Sequence, residues 1–162
     1  MNTSRRSNDE MTQLYLRHVK TVYRVCFIYM KNKQDTEDMV QNTFIRLMKD
    51  ATMFQSQEHE KAWLIRTAVN LCKDYFRTHR MTPTDLTRLP ETAVCDHYDL
   101  NSVLDKVLAL PPKYKTVVYM YYYEGYSSVE IAKILGEKES TVRSRLHYGR
   151  KRLKLEMEAD II

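Results

Sequence analysis

The sequence predicts an all-α protein of two small helical domains joined by a flexible linker, on three observations. All three glycines (Gly125, Gly136, Gly149) and all four prolines (Pro83, Pro90, Pro111, Pro112) lie after residue 80, so the first half is free of both strong helix breakers. Apolar residues in that half return every three or four positions, the period of helices that face a core. Residues 81–100 then lose any period and carry Asp85, Glu91, Asp96 and Asp99 against Arg88, a net of -3 that reads as an acidic linker. No internal repeat and no strand-period segment interrupts the pattern.

Taken in order, residues 1–10 read as a polar tail and 11–80 as the first domain. Tyr15, Val19, Val22, Cys26 and Tyr29 mark the inward face of a first helix, broken near Lys31 to Gln34. A second helix runs from about Asp35 to Met48 with Val40, Phe44 and Leu47 inward, and the polar stretch Ala51 to Glu58 is a loop. The third spans His59 to His79, burying Ala62, Ile65, Val69, Cys72 and Phe76. Residues 101–158 form the second domain. Asn101 or Ser102 caps a helix through Leu110, which Pro111 and Pro112 stop. The next helix carries Tyr119, Tyr121, Tyr122 and Tyr123, which serve packing or, on the other reading, offer a platform for stacked bases.

The last two helices form a helix-turn-helix. Ser127 caps the first while Glu130 reaches back to close a capping box, Ile131, Ile134 and Leu135 line one face, and Gly136 supplies the left-handed turn. Val142, Leu146 and Leu153 pack the second helix on the first, leaving Ser140, Thr141, Arg143, Ser144 and His147 outward. Residues 138–154 hold Lys138, Arg143, Arg145, Arg150, Lys151, Arg152 and Lys154 against Glu139, a net of +6 where the whole chain is +5. Such concentration suits an element whose first turns read bases and whose later residues, Lys151 among them, hold phosphates.

Other classes are excluded by composition. No apolar run approaches the roughly 20 residues that span a bilayer, and Met1 to Glu10 lacks the apolar stretch of a secretory signal, so the chain is expected in the cytoplasm. Cys26, Cys72 and Cys95 are odd in number and far apart with no C-x-x-C pair, so neither a disulfide framework nor a zinc finger is indicated, the five histidines have no ligand spacing either, and no metal or cofactor is expected. Cys26 and Cys72 read as small core residues. A nuclease using Asp35, Glu37 and Asp38 as metal ligands is disfavoured, because neighbouring carboxylates on one helical turn splay apart and nothing completes the site.

Two features of the first half stay open on residues alone. The third helix joins Lys61, Arg66, Lys73, Arg77 and Arg80 to Asp74, a net of +4, with Trp63, Tyr75 and Phe76 interspersed. This suits either a nucleic-acid surface or a basic face over an ordinary core, with Trp63 read as core. Glu37, Asp38, Gln41 and Asn42 on the second helix suit the helix dipole and equally a docking patch.

Asp35-Thr-Glu-Asp-Met-Val-Gln-Asn-Thr-Phe-Ile-Arg-Leu47, Ala62-Trp-Leu-Ile-Arg-Thr-Ala-Val-Asn70, Asp74-Tyr-Phe-Arg77, Leu110-Pro-Pro and the helix-turn-helix, in that order, resemble a bacterial RNA polymerase sigma factor of the extracytoplasmic-function group. The resemblance implies a region 2 domain in the N-terminal half, a region 4 domain in the C-terminal half, and no enzymatic activity. Glu37, Asp38, Met39, Gln41 and Asn42 fall on the motif that grips the clamp helices of the largest polymerase subunit, with Asn42 in place of the usual Glu. Lys61, Arg66, Asn70, Lys73, Asp74 and Arg77 fall on the segment that opens and reads the -10 element, the loop around Thr52 to Gln57 accepting a flipped base. Ser140, Thr141, Arg143, Ser144, Arg145, His147 and Lys151 fall on the helix that reads the -35 element. The implied partners are core RNA polymerase, through its clamp helices and flap region, promoter DNA and an anti-sigma factor. The alternative is a stand-alone helix-turn-helix regulator that binds a palindrome without polymerase.

Overall fold

The computed structural model describes residues 6–79 and 102–161, with side chains from 105 to 154 in the second stretch. The chain divides into two compact units, Met1–Ala93 and Val94–Ile162. The expected acidic linker, 81–100, lies outside the described residues, as do Arg80, Cys95 and Asn101.

The N-terminal unit packs three helices, α1 (Asn8–Met30), α2 (Lys33–Lys49) and α3 (Gln57–His79), each against the other two. Helix α1 starts inside the stretch read as a polar tail: the Ser7 side chain accepts from the Glu10 N–H, and Asp9 and Glu10 sit favourably at the positive end of the helix dipole. Lys31 closes α1 in the left-handed region at φ 63°, and Asn32 opens α2 by accepting from the Asp35 N–H at 2.8 Å while donating to the Met30 carbonyl. So short a link returns α2 antiparallel along α1.

The core of this unit joins Leu14, Val22, Val25, Ile28 and Met30 of α1 to Val40, Phe44 and Leu47 of α2 and to Leu64, Ile65, Ala68, Val69 and Phe76 of α3. Three residues read as inward sit further out. Tyr15 is 44% exposed, with its ring edge on Phe44 at 4.9 Å, while Val19 and Ala62 are half-buried. Helix α1 touches two partners at once, so its buried surface is broader than one stripe and takes in Leu14 and His18. His18 is satisfied by the Glu60 carboxylate at 2.9 Å, which also holds Arg17 at 3.1 Å. Cys26 and Cys72 are both buried, and a hydrogen bond between them together with burial pushes the Cys72 thiol well up.

The C-terminal unit comprises α4 (Ser102–Leu108), α5 (Pro112–Tyr122), α6 (Ser128–Leu135) and α7 (Glu139–Ile161). Helix α4 ends two residues short of the expected Leu110, and Pro112 then starts α5, where its missing N–H costs nothing. Lys115 is fully buried, and its Nζ donates to the Leu108 carbonyl at 3.1 Å, placing a cation on the negative end of α4. Of Tyr119, Tyr121, Tyr122 and Tyr123, Tyr119 is the buried one, its hydroxyl donating to Glu124 at 2.7 Å. Tyr121, Tyr122 and Tyr123 are exposed, since neighbours 100° apart on a helix cannot share one face. The Arg150 guanidinium lies 5.0 Å from the Tyr121 ring centroid, and its Nε donates to the Tyr122 hydroxyl at 2.6 Å. Where α7 crosses α5 the close point is Gly149: a Cβ there would stand 2.8 Å from Cγ2 of Val118.

The capping box of α6 is complete, with Ser127 Oγ accepting from the Glu130 N–H at 3.2 Å and Glu130 Oε1 accepting from the Ser127 N–H at 3.0 Å. Ser127→Ala is expected to cost the unit about 1 kcal/mol in thermal denaturation. Hydrogen bonds to the carboxylate from Ser127, its backbone N–H first and then its hydroxyl, hold the Glu130 carboxyl below its ordinary value. The carboxylate's contribution is therefore in place at neutral pH and is lost as pH falls through the folded-state value, while the Ser127 Oγ bond to the Glu130 N–H does not titrate, so the gap between wild type and Ser127→Ala should narrow in acid without closing.

Candidate polymerase and nucleic-acid interfaces

On α2 the residues Glu37, Asp38, Gln41 and Asn42 are all exposed, whereas Met39 is 7% exposed and packs in the core. Met39 is thus corrected from a surface contact to a residue that seats the helix, since its position shares the apolar face with Val40 and Thr43. Seven residues beyond Asp38 and Gln41 come Ile45, 39% exposed, and Met48, 57% exposed. One stripe therefore passes from acidic-polar to apolar along the helix. Its apolar half was readable from the sequence as a seven-residue offset from the polar face, a signal masked by the adjoining Phe44 and Leu47.

Helix α3 presents a second stripe. Arg66, Asn70, Lys73 and Arg77 follow one another at four, three and four residues and are exposed on one face. Asp74 flanks it and pairs with Arg77 at 2.5 Å, a surface contact of small energetic weight. Lys61 is not brought into this stripe: it lies about 140° round the helix from Arg66 at 100° per residue, and is half-buried. Trp63, read as core, is half-buried instead, at the head of the stripe seven residues before Asn70. Tyr75, on the flank towards α2, is pushed up by burial and then by the nearby Asp35 and Asp38 carboxylates.

The loop between α2 and α3 is tied from its inner side. Asp50 Oδ1 accepts from the Thr52 N–H at 2.7 Å, and the Thr52 contacts hold that carboxyl below its usual value. Ser56 Oγ accepts from the His59 N–H at 3.1 Å, and His59 Nδ1 accepts from the Gln55 N–H at 3.2 Å. Phe54 folds inward with its ring centroid 5.9 Å from Trp63 and 5.1 Å from His59, while Met53 is 79% exposed. Arg6, assigned to the tail by the sequence reading, donates to the carbonyls of Leu47 at 3.3 Å and Asp50 at 3.0 Å and to that of Thr52, and lies 4.7 Å from the Phe54 ring centroid. An arginine outside the apolar period gives no sequence signal of such a role.

On α7 a third stripe gathers Ser140, Arg143, Ser144, His147 and Lys151, all exposed, beyond the left-handed Gly136 (φ 69°) that turns the chain out of α6. Arg143 pairs with Glu139 at 3.4 Å within the helix. Arg145 and Thr141 are half-buried, and Arg145 reaches back to Glu137 at 3.5 Å. Arg145 thus lies one position off the outward stripe, where its pairing with Glu137 also clamps the turn.

Among the described residues no group of three or more His, Cys, Asp or Glu is placed to hold a metal, and Asp35 is engaged by Asn32. Among them too, no helix is long and apolar enough to cross a membrane.

The family model for sigma-70 region 2 matches residues 14–82, and that for sigma-70 region 4 matches residues 100–153. The ECF RNA polymerase sigma factor SigW of Bacillus subtilis is 31% identical over 154 residues, covering 84% of this chain and 82% of SigW. The chain belongs to the ECF RNA polymerase sigma factors. SigL of Mycobacterium tuberculosis, of the same group, is 30% identical over 159 residues, covering 91% of this sigma factor and 89% of SigL. A solved complex of the sigma factor RpoE with the anti-sigma factor NepR from Bartonella quintana shares the fold, at TM-score 0.70 and 21% identity over 93% of this chain and 98% of that one. This sigma factor thus directs promoter-specific initiation of transcription, with core RNA polymerase and promoter DNA as its partners. A stand-alone regulator would account for the helix-turn-helix and leave the region 2 match without explanation.

Proposed function

We propose that the three stripes divide the work of initiation. The α2 stripe, acidic-polar at Glu37, Asp38, Gln41 and Asn42 and apolar at Ile45 and Met48, docks on the polymerase clamp helices. Arg66, Asn70, Lys73 and Arg77, with the loop before α3, take up the single strand of the -10 element, and the α7 stripe reads the -35 element as a duplex. The observation that carries the reading is the pairing, on one three-helix unit, of two narrow stripes of opposite character. One suits a protein surface and the other a phosphate backbone.

The sigma factor acts without catalysis of its own, in the cytoplasm. Stacking and pocket contacts to unpaired bases offset the few kcal/mol needed to take each base out of the duplex. The RpoE complex supports an anti-sigma factor as a further partner, covering the surfaces that polymerase needs.

Asn70 is the neutral member of a basic stripe, suited to a base edge rather than a phosphate. With Asn70→Ala, duplex binding by the C-terminal unit should persist while opening fails. Permanganate reactivity of -10 thymines should drop to the closed-promoter level, and reactivity equal to wild type would refute the assignment. Arg143→Ala should cost about 1 to 3 kcal/mol at one base pair of the -35 element. Lys151→Ala, two turns further along, should weaken all sequences alike and flatten the salt dependence. Affinities for single-base -35 variants at two salt concentrations separate the two patterns, and identical profiles for both variants would overturn the division.

A further inference from the structure

We propose that Arg6 is a positioning residue for single-strand capture: it sets the shape of the loop before α3 and so the base selectivity of that loop. This rests on the reading of the loop given above. The Arg6 guanidinium spans the entire turn from helix to loop, donating to Leu47 in the last turn of α2, to Asp50 at its end and to Thr52 beyond it. Helix ends leave carbonyls without partners, and a cation there also meets the negative end of the dipole, so one side chain fixes where α2 stops and in which direction the loop leaves.

The face of the same guanidinium lies over Phe54, which in turn packs on Trp63 at the head of the α3 stripe. Arg6 thus connects the loop backbone to Trp63, about two turns before Asn70 on α3. With Phe54 held inward, Met53 and Gln55 are left outward, available to an unpaired base. A loop whose backbone is fixed in advance discriminates between bases better than one that must be ordered on binding, because ordering draws on the contact energy. Lysine cannot substitute, since a single ammonium lacks both the planar fork for several carbonyls and the flat face for the ring.

The test reconstitutes holoenzyme with wild type, Arg6→Ala or Arg6→Lys and measures binding of single-stranded -10 oligonucleotides carrying each base at each position. Core affinity and thermal midpoint are measured alongside. At the position taken by the loop, the ratio of best to worst base should fall about fivefold or more in both variants. Ratios at other positions and core affinity should match wild type. Unchanged ratios in Arg6→Ala, full rescue by Arg6→Lys, or a fall at every position in step with a lowered midpoint would each overturn the proposal. Wild type that discriminates at no position would overturn the single-strand reading of the loop itself, and this proposal with it.

Discussion

Gly149→Leu is expected to unfold the C-terminal unit while leaving the N-terminal one folded. Even a Cβ at this position meets Val118 Cγ2 at 2.8 Å and Tyr114 Cβ at 3.4 Å, and both neighbours sit on the helix that α7 packs against. For Gly149→Ala, two effects oppose each other. Alanine gains roughly 1 kcal/mol of helix propensity over glycine, and overpacking costs about 1 to 3 kcal/mol, so a small net loss should result. Leucine adds three more carbons at the same crossing, where only separation of α5 from α7 can make room. A unit of this size has about 3 to 10 kcal/mol to lose. The single tryptophan, Trp63, lies in the other unit, so its fluorescence transition should stay where it is in wild type. Helix content by circular dichroism should fall at the same time. Retention of both the full helix content and a wild-type second transition would show that the crossing tolerates a side chain.

The helix-turn-helix was legible because its determinants are local. Ser127, Glu130 and Gly136 each act within four residues of the backbone they satisfy, and the capping box and left-handed turn stand where the sequence puts them. The exposure of Asn70, Lys73 and Arg77 was likewise carried by helical period. Less legible were residues whose setting depends on what packs across from them. Met39 belongs to the core because α2 is covered from two sides, and Tyr15 is exposed because the face of α1 turns towards Leu14. Arg145 turns inward to Glu137, eight residues away across the turn, which charge counting along a helix does not reveal. Arg6 is the extreme case: its carbonyl partners lie 41 to 46 residues along the chain, and an arginine in a polar stretch announces none of them.

Asp38→Arg should abolish binding to core polymerase without disturbing the fold. The position is exposed, and the apolar stripe of α2 does not use it, so its stability cost should stay within about 0.5 kcal/mol. In the proposed docking the reversal both removes an acidic contact and buries a cation where the partner is expected to meet a carboxylate. That should cost about 2 to 5 kcal/mol, enough to lose the complex at micromolar protein. In the proposed docking Ile45 and Met48 supply the adjoining apolar contact, and they could not compensate, because they would have to be desolvated beside an unpaired cation.

The central claim is that this chain works as a subunit of RNA polymerase through the exposed face of α2. Capture of purified core polymerase by immobilised wild type and Asp38→Arg in parallel, with circular dichroism of both, tests it most directly. Near-stoichiometric capture by wild type and loss of capture by an equally helical Asp38→Arg is the predicted result. Equal capture by the two proteins would contradict the placement of the interface on α2, and no capture by wild type would contradict the account as a whole.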